Sequence, residues 1–155
     1  MKRYIGTRII TAQPMNRADY NTYRGWALPS DENGEDEGYL VEYLDGGKPN
    51  DSRHTGYISW SPKDQFENAY RESGNMTFGL AIEALKRGHK IARTGWNGKG
   101  MWLMLVPEKL ADAVSFQYEA LSPAPWIGMK TTDDKFVPWL ASQTDMLAED
   151  WKIVE

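Results

Sequence analysis

The chain has 155 residues, of which 41% are hydrophobic, and it carries a formal net charge of −4. This length suits one domain or two small ones. The acidic balance disfavours a protein that binds polymeric nucleic acid, because such proteins present a basic face. The sequence has no cysteine, which excludes disulfides and thiolate metal sites. We expect a cytosolic protein without cofactor, metal or membrane segment, since no run reaches the ~18 apolar residues of a membrane helix.

The sequence of the first half predicts a strand followed by a helix, and then a hairpin followed by a second helix. A strand is expected over Tyr4–Ile10, followed by a helix that Asn16 caps and that ends near Gly25. The segments 38–43 and 56–60 contain many β-formers around a glycine-bearing loop, which predicts a hairpin. Ser61, followed by Pro62, has the pattern of a helix start.

The second half predicts a helix and then a series of strands. Thr77 caps the helix and Gly88 ends it, since glycine tolerates a positive φ. Strands are expected over 89–94, 101–106, 126–131 and 136–140, and a short helix over 107–118. Ser142 and Asp145 form a capping-box pattern for a last helix. Ile153–Val154 is expected to close a sheet edge.

Together these elements predict an α+β protein made of two small antiparallel sheet–helix units. The first unit is an extension over residues 1–74, and the second covers residues 75–155. The two halves share the same order of elements. In each half a helix leads to an Arg-Gly-Trp or Arg-Thr-Gly-Trp segment, a hairpin that ends in tryptophan follows, and a Ser-x-x-Asp helix start comes last. This shared order favours a diverged internal duplication.

A candidate ligand site lies in the turn that joins the strands 89–94 and 101–106. Trp96 and Asn97 lie between Gly95 and Gly98, and glycine lets a ligand approach the backbone closely. An exposed indole would stack on a nucleobase, and the Asn97 amide would bond a base edge or a ribose. Two structural interpretations compete, because Trp96 could pack back onto the sheet and Asn-Gly is a common turn dipeptide.

The start of the last helix supplies a second group of candidate ligand residues. Gln143 and Thr144 lie where a helix N-terminus attracts phosphate. Asp145 would repel phosphate, so we expect it to accept bonds from ribose hydroxyls or an adenine amino group, or else to serve only as a cap. Phe78 and Arg93 complete the set of candidate ligand residues. Phe78 could instead belong to the hydrophobic core, and Arg93 could instead form an ion pair at the surface.

Three separated motifs in the second half resemble a known family. They are Met76-Thr-Phe-Gly-Leu-Ala-Ile-Glu-Ala-Leu-Lys-Arg-Gly88, the Gly95-Trp-Asn-Gly98 turn and Trp139-Leu-Ala-Ser-Gln-Thr-Asp-Met-Leu-Ala-Glu-Asp-Trp151. In this order they resemble the Thoeris anti-defence sponge family, second type, over residues 76–155. Its members are small phage proteins that sequester cyclic nucleotide signals of bacterial immunity, chiefly glycocyclic ADP-ribose. The resemblance implies a non-catalytic binding protein in the cytoplasm of the infected bacterial host.

The resemblance also implies which residues bind a ligand. The family's pockets are assembled between subunits of a homotetramer, and this chain matches the pocket positions at Phe78, Trp96, Asn97, Gln143, Thr144 and Asp145. Longer members resemble this chain in carrying an extension, and they look able to hold cyclic dinucleotides such as cyclic GMP-AMP at a separate site. The groups in the extension that suit such a site are Arg24, Trp26, Trp60 and Lys63.

Two other functions are consistent with the same residues. A hydrolase of cyclic nucleotides would need metals, or a side chain with a tuned pKa, and both histidines, His54 and His89, are expected at the surface. A tryptophan-rich protein-interaction module is the other alternative, since aromatic residues are enriched at interfaces. Recovery of intact ligand would exclude the hydrolase, and a titration with small molecules alone would separate a ligand-binding protein from the interaction module.

Overall fold

A computed structural model describes residues 1–108 and 124–155 of the chain. The chain divides into two units, Met1–Tyr70 and Arg71–Glu155. In the described residues each unit combines helices with one antiparallel sheet, of three strands in the first and five in the second. The predicted α+β class with two antiparallel sheets is therefore confirmed. None of the described helices is long and apolar enough to span a membrane.

The first unit is built on a sheet with the strand order β1-β2-β3. Its elements are β1 (Ile10–Pro14), α1 (Arg17–Arg24), β2 (Gly38–Tyr43), β3 (Tyr57–Pro62) and α2 (Lys63–Ala69). The start of α1 is as predicted, because the Asn16 side chain accepts a hydrogen bond from the Asp19 N–H. The helix ends at Gly25, whose φ of +70° places it in the left-handed region. Tyr20, Leu40 and Ile58 form the buried core.

Two predictions for the first unit are wrong, and both fail because strand pairing is not local. The first strand is Ile10–Pro14 rather than Tyr4–Ile10, since pairing with β2 joins Ile10 to Tyr43 and Pro14 to Tyr39. Ser61 does not cap α2, because it lies within β3 opposite Tyr39, and Pro62 takes the cap position without a side-chain bond. The predicted internal duplication depended partly on a Ser-x-x-Asp helix start in each half, and Ser61 does not start a helix. The two sheets also differ in their number of strands.

In its described residues, the second unit packs the helix α3 on a sheet with the strand order β7-β6-β5-β4-β8. Its elements are α3 (Phe78–Lys86), β4 (Lys90–Arg93), β5 (Trp102–Val106), β6 (Trp126–Lys130), β7 (Phe136–Pro138), α4 (Gln143–Met146) and β8 (Trp151–Val154). The Thr77 cap on α3, the later hairpin and the edge position of β8 are confirmed. Most of the helix predicted over 107–118 lies outside the described residues.

The core of the second unit lies between α3 and the sheet. Leu85 of α3 packs with Ile91 of β4, Leu103 of β5 and the fully buried Trp151 of β8. Close packing of this kind makes the sheet a rigid support. The segments that carry the candidate site, the turn between β4 and β5 and the helix α4, are both attached to this support.

Candidate functional site

The turn after β4 is fixed by Asp150, which lies just before β8. Because Arg93 pairs with Trp151 across the two strands, the Asp150 carboxylate lies next to the start of the turn. It accepts a hydrogen bond of 2.8 Å from Arg93 Nε and one of 2.7 Å from the Gly95 N–H. The Thr94 N–H donates to the Asp150 carbonyl oxygen at 3.1 Å. Three donors from the first part of the turn therefore converge on one residue.

Asp145 joins the same turn to the helix α4. Its Oδ1 accepts from Arg93 Nη1 at 2.9 Å and from Trp96 Nε1 at 3.3 Å. Its Oδ2 accepts from the Ser142 N–H at 3.1 Å and from Ser142 Oγ at 2.6 Å, which completes the predicted capping box. A carboxylate has about four acceptor sites, so these four donors occupy them. Within one chain, Asp145 thus acts as a cap and as a link between segments.

The Arg93 guanidinium bridges both aspartates and offsets one of their two negative charges. Its side chain is 15% exposed. Its hydrogen bond lowers the pKa of Asp150, and the bond to Asp150 raises the pKa of Arg93. Burial raises the pKa of Asp145, but hydrogen bonds from Ser142 and Arg93 outweigh it and leave that pKa lowered. Both carboxylates are therefore ionised at neutral pH.

Trp96 is part of an aromatic cluster made of Phe78, Trp96, Trp139 and Trp151. The Trp151 ring is central, with ring centroids at 5.5 Å from Phe78, 5.6 Å from Trp96 and 6.1 Å from Trp139. The Trp96 and Trp151 planes meet at 77°, an edge-to-face contact that stabilises aromatic pairs. Trp96 is half-buried against the core. Its turn position therefore does not keep it out of the hydrophobic core.

A depression of about 450 Å³ lies beside the same turn. It is lined by Trp96, Lys99, Met101, Trp102, Lys152 and Val154, together with neighbouring backbone and Arg93. Trp96 therefore packs against the aromatic cluster and also borders open space. Gly98 lies close against the Met101 side chain, since an added Cβ would lie 2.1 Å from Met101 Sδ. A volume of this size is in the range of small-molecule sites.

The structure places the predicted ligand residues of the second unit at different depths. Arg93, Trp96 and Asp145 are in direct contact with one another. Phe78 is half-buried and joins them through the aromatic cluster. The remaining candidates are exposed, on the turn or in the first turn of α4: Asn97, Gln143 and Thr144.

The candidate residues of the extension do not form one group. Arg24 lies over the exposed Trp26 ring, 4.3 Å from its centroid. Trp60 donates from Nε1 to the Met15 carbonyl at 2.8 Å, and Lys63 pairs with Glu37 at 2.6 Å. The Arg24 guanidinium donates to the Asn50 carbonyl near one end of the β2–β3 hairpin, whereas Lys63 follows the other end. Arg24 and Trp26 are brought together, and Trp60 and Lys63 lie apart from them.

The sequence interpretation missed two sets of residues. His54 is not a surface residue: its side chain is 15% exposed, and its ring nitrogens lie 2.8 Å from Tyr23 Oη and 2.9 Å from Glu42 Oε2. Hydrogen bonds from His54 and the Gly56 N–H lower the pKa of Glu42 to about 2. Asp150 was also missed. Partners that are far apart in the sequence give no local signal, although Asp150 belongs to the Trp139–Trp151 motif.

Comparison with known proteins agrees with this architecture. A family model described as Thoeris anti-defense 2-like domain matches residues 76–154, which lie in the second unit. Thoeris anti-defense 2 of Bacillus phage SP01 is 45% identical over 84 residues, a match that covers 51% of this chain and 94% of that protein. The motifs around Trp96 and Asp145 lie within the region matched by the family model. This chain therefore belongs to the Thoeris anti-defense 2-like family.

Proposed function

We propose that this chain is a non-catalytic sponge that sequesters a cyclic nucleotide signal of bacterial anti-phage immunity, with glycocyclic ADP-ribose as its main ligand. The observation that carries the proposal is the Trp96 turn. Asp145 and Asp150 hold it in place, and it borders a depression of about 450 Å³. A site that is ordered before the ligand arrives loses less entropy on binding, which suits a protein that must retain a scarce molecule.

The groups around the turn match the parts of such a ligand. The Trp96 and Trp102 rings border the depression and offer surfaces for a base. Asn97, Gln143 and Thr144 are exposed, and they offer amide and hydroxyl groups to riboses. The Asp145 carboxylate of the short helix α4 already accepts hydrogen bonds from Arg93, Trp96 and Ser142. We therefore propose that Asp145 positions Trp96 and Arg93.

The charge state of the site supports binding without turnover. Hydrolysis by general acid–base catalysis uses a group whose pKa lies near the working pH. Asp145 and Asp150 have lowered pKa values and are bound to Arg93. Neither carboxylate therefore has the properties of a catalytic acid or base at neutral pH.

We further propose that the chain acts as a homotetramer with pockets completed between subunits. Large apolar side chains next to the candidate site support an interface there: Phe136, Leu140, Met146 and Leu147 are exposed. Light scattering at micromolar concentration should give four times the chain mass of 17.7 kDa. A species with the mass of a single chain would exclude the tetramer.

The extension is proposed to serve a second ligand class. Residues 1–74 would act as an appended domain and residues 75–155 as the sponge domain, both in the cytoplasm of the infected host. Arg24 and the exposed Trp26 support a stacking site for a cyclic dinucleotide. Trp60 and Lys63 would have to contribute to it from the other end of the hairpin. Titration of the full chain with cyclic GMP-AMP tests this site, and absence of saturable binding would exclude it.

The main ligand is tested by calorimetric titration of the full chain with glycocyclic ADP-ribose. We expect a dissociation constant of about a nanomolar or tighter, because a micromolar value supplies only about 8 kcal/mol. Linear ADP-ribose is the matched control and should bind much more weakly, since it is not held in the cyclic shape. No saturable heat with glycocyclic ADP-ribose at micromolar protein would contradict the proposal.

A further inference from the structure

The depression beside Trp96 contains two lysines whose charges are not neutralised by a neighbouring carboxylate. Lys99 of the turn and Lys152 of β8 both line the depression, and both are exposed. Among the ion pairs of residues 1–108 and 124–155, neither lysine pairs with an aspartate or glutamate. Arg93 lines the same depression, but it is paired with both Asp145 and Asp150 and so adds no net positive charge there. The free positive charge of the depression therefore comes from the lysines.

The strand pairing adds a third lysine to the same side of the sheet. Lys152 is paired with Ala92 across the β4–β8 ladder, and side chains two residues apart on a strand share a face. Lys90 therefore lies on the face that carries Lys152. Its ammonium is 4.7 Å from the centroid of the Trp102 ring, which also lines the depression. Lysines and aromatic rings thus lie close together on this side of the sheet, in a chain of net charge −4.

The start of α4 is a weaker place for a phosphate than this depression. The helix has only four residues, so few peptide dipoles add up at its N-terminus. The Asp145 carboxylate already accepts from the Ser142 N–H there, and its negative charge repels an anion. The phosphate groups of a nucleotide would meet repulsion at α4 and attraction at the lysines.

We infer that Lys99 and Lys152 bind the diphosphate group of the ligand, with the Trp96 and Trp102 rings beside it. The inference rests on the proposed function and names its anion-binding residues. A diphosphate carries two negative charges, which two ammonium groups can neutralise. Arg93, the other cation that lines the depression, is engaged in holding the turn. The lysines would therefore contribute affinity for phosphate without contributing to the fold.

The test compares glycocyclic ADP-ribose binding by the full-length protein and by the variants Lys99→Gln, Lys152→Gln and the double variant. Each single change should weaken binding about tenfold, and the double change about a hundredfold, as expected for lost charge-assisted bonds at a partly exposed site. Lys48→Gln, an exposed lysine in the first unit, is the matched control and should leave the dissociation constant unchanged. Melting temperatures should agree for all the variants.

Salt dependence provides a readout that a structural role would not change. Raising the salt concentration should weaken ligand binding by the wild type more than ligand binding by the double variant. Salt screens the attraction between the lysines and the ligand, and the double variant lacks these two charges. If wild type and double variant bind glycocyclic ADP-ribose equally, the inference is wrong and the proposed function stands. If the wild type does not bind that ligand, the proposed function fails. Titration with inorganic pyrophosphate then decides the anion site: binding that the double variant loses supports the site, and no binding overturns it.

Discussion

Asp150 determines the path of the chain into Trp96 through its bonds to Arg93 Nε and the Gly95 N–H. We predict that Asp150→Ala lowers the free energy of unfolding by about 1.5–3 kcal/mol, as for a lost hydrogen bond to a charged group. It should also weaken ligand binding, because the turn is no longer held before binding. Asp150→Asn should recover part of the stability, since its amide oxygen can still accept from Gly95. Denaturant unfolding and calorimetric titration measure the two effects.

The neighbouring exposed residue provides the control for this prediction. Glu149→Ala should change neither stability nor affinity, because surface substitutions away from such contacts have small effects. An Asp150→Ala protein with wild-type affinity and wild-type stability would show that the turn is held by other contacts.

Trp96 has two roles that can be separated by substitution. Its ring packs against the aromatic cluster, and its Nε1 donates to Asp145. We predict that Trp96→Ala lowers the free energy of unfolding by about 2–4 kcal/mol, slightly less than for a fully buried tryptophan. Trp96→Phe should keep most of this stability and still lose affinity, since phenylalanine is smaller and lacks the indole N–H. Thermal unfolding and titration of both variants are the measurement, and unchanged affinity in both would place the ligand elsewhere.

Among the elements, the hairpin β2–β3 and helix α1 are joined by the Tyr23–His54–Glu42 chain of hydrogen bonds. The pKa of Glu42 is lowered from 4.5 to about 2. A carboxylate with a lowered pKa stabilises the folded state above its unfolded pKa, and this contribution is lost as the pH falls through the folded value. We predict that the wild type loses more stability between pH 4.5 and about 2 than Glu42→Gln does.

The measurement is the free energy of unfolding of both proteins across that pH range. Glu35→Gln, a change in an exposed loop, is the control and should follow the wild-type profile. Parallel profiles for the wild type and Glu42→Gln would show that the Glu42 charge makes no difference to folding in that range.

The elements also show how far the sequence predicts the fold. The caps at Asn16, Thr77 and Ser142 were predicted because each depends on residues within three positions. The predictions for the first strand and for a cap at Ser61 are wrong, because strand pairing across the sheet decides both. The same reason hid Asp150 and His54, whose partners are distant in the sequence. Contacts between residues that are close in the sequence can be predicted from it, whereas pairing between distant residues cannot.

At the scale of the whole molecule, the family match and the candidate site both lie within the unit Arg71–Glu155. We predict that residues 71–155 fold without the extension and bind glycocyclic ADP-ribose with the affinity of the full chain. The physical reason is that the core around Trp151 and the residues lining the depression are contained in this unit. Circular dichroism and titration of the shortened protein check this, and loss of binding by a folded unit would assign part of the site to the extension.

A sponge must retain its ligand without changing it, and we propose this of the whole chain. The most direct measurement is incubation with glycocyclic ADP-ribose, removal of free ligand by ultrafiltration, heat denaturation and mass spectrometry of the released nucleotide. We predict that the retained fraction is released as intact cyclic ligand, at no more than one equivalent per protomer. Linear ADP-ribose in excess of one equivalent per protomer, or ligand found entirely in the filtrate, would contradict it.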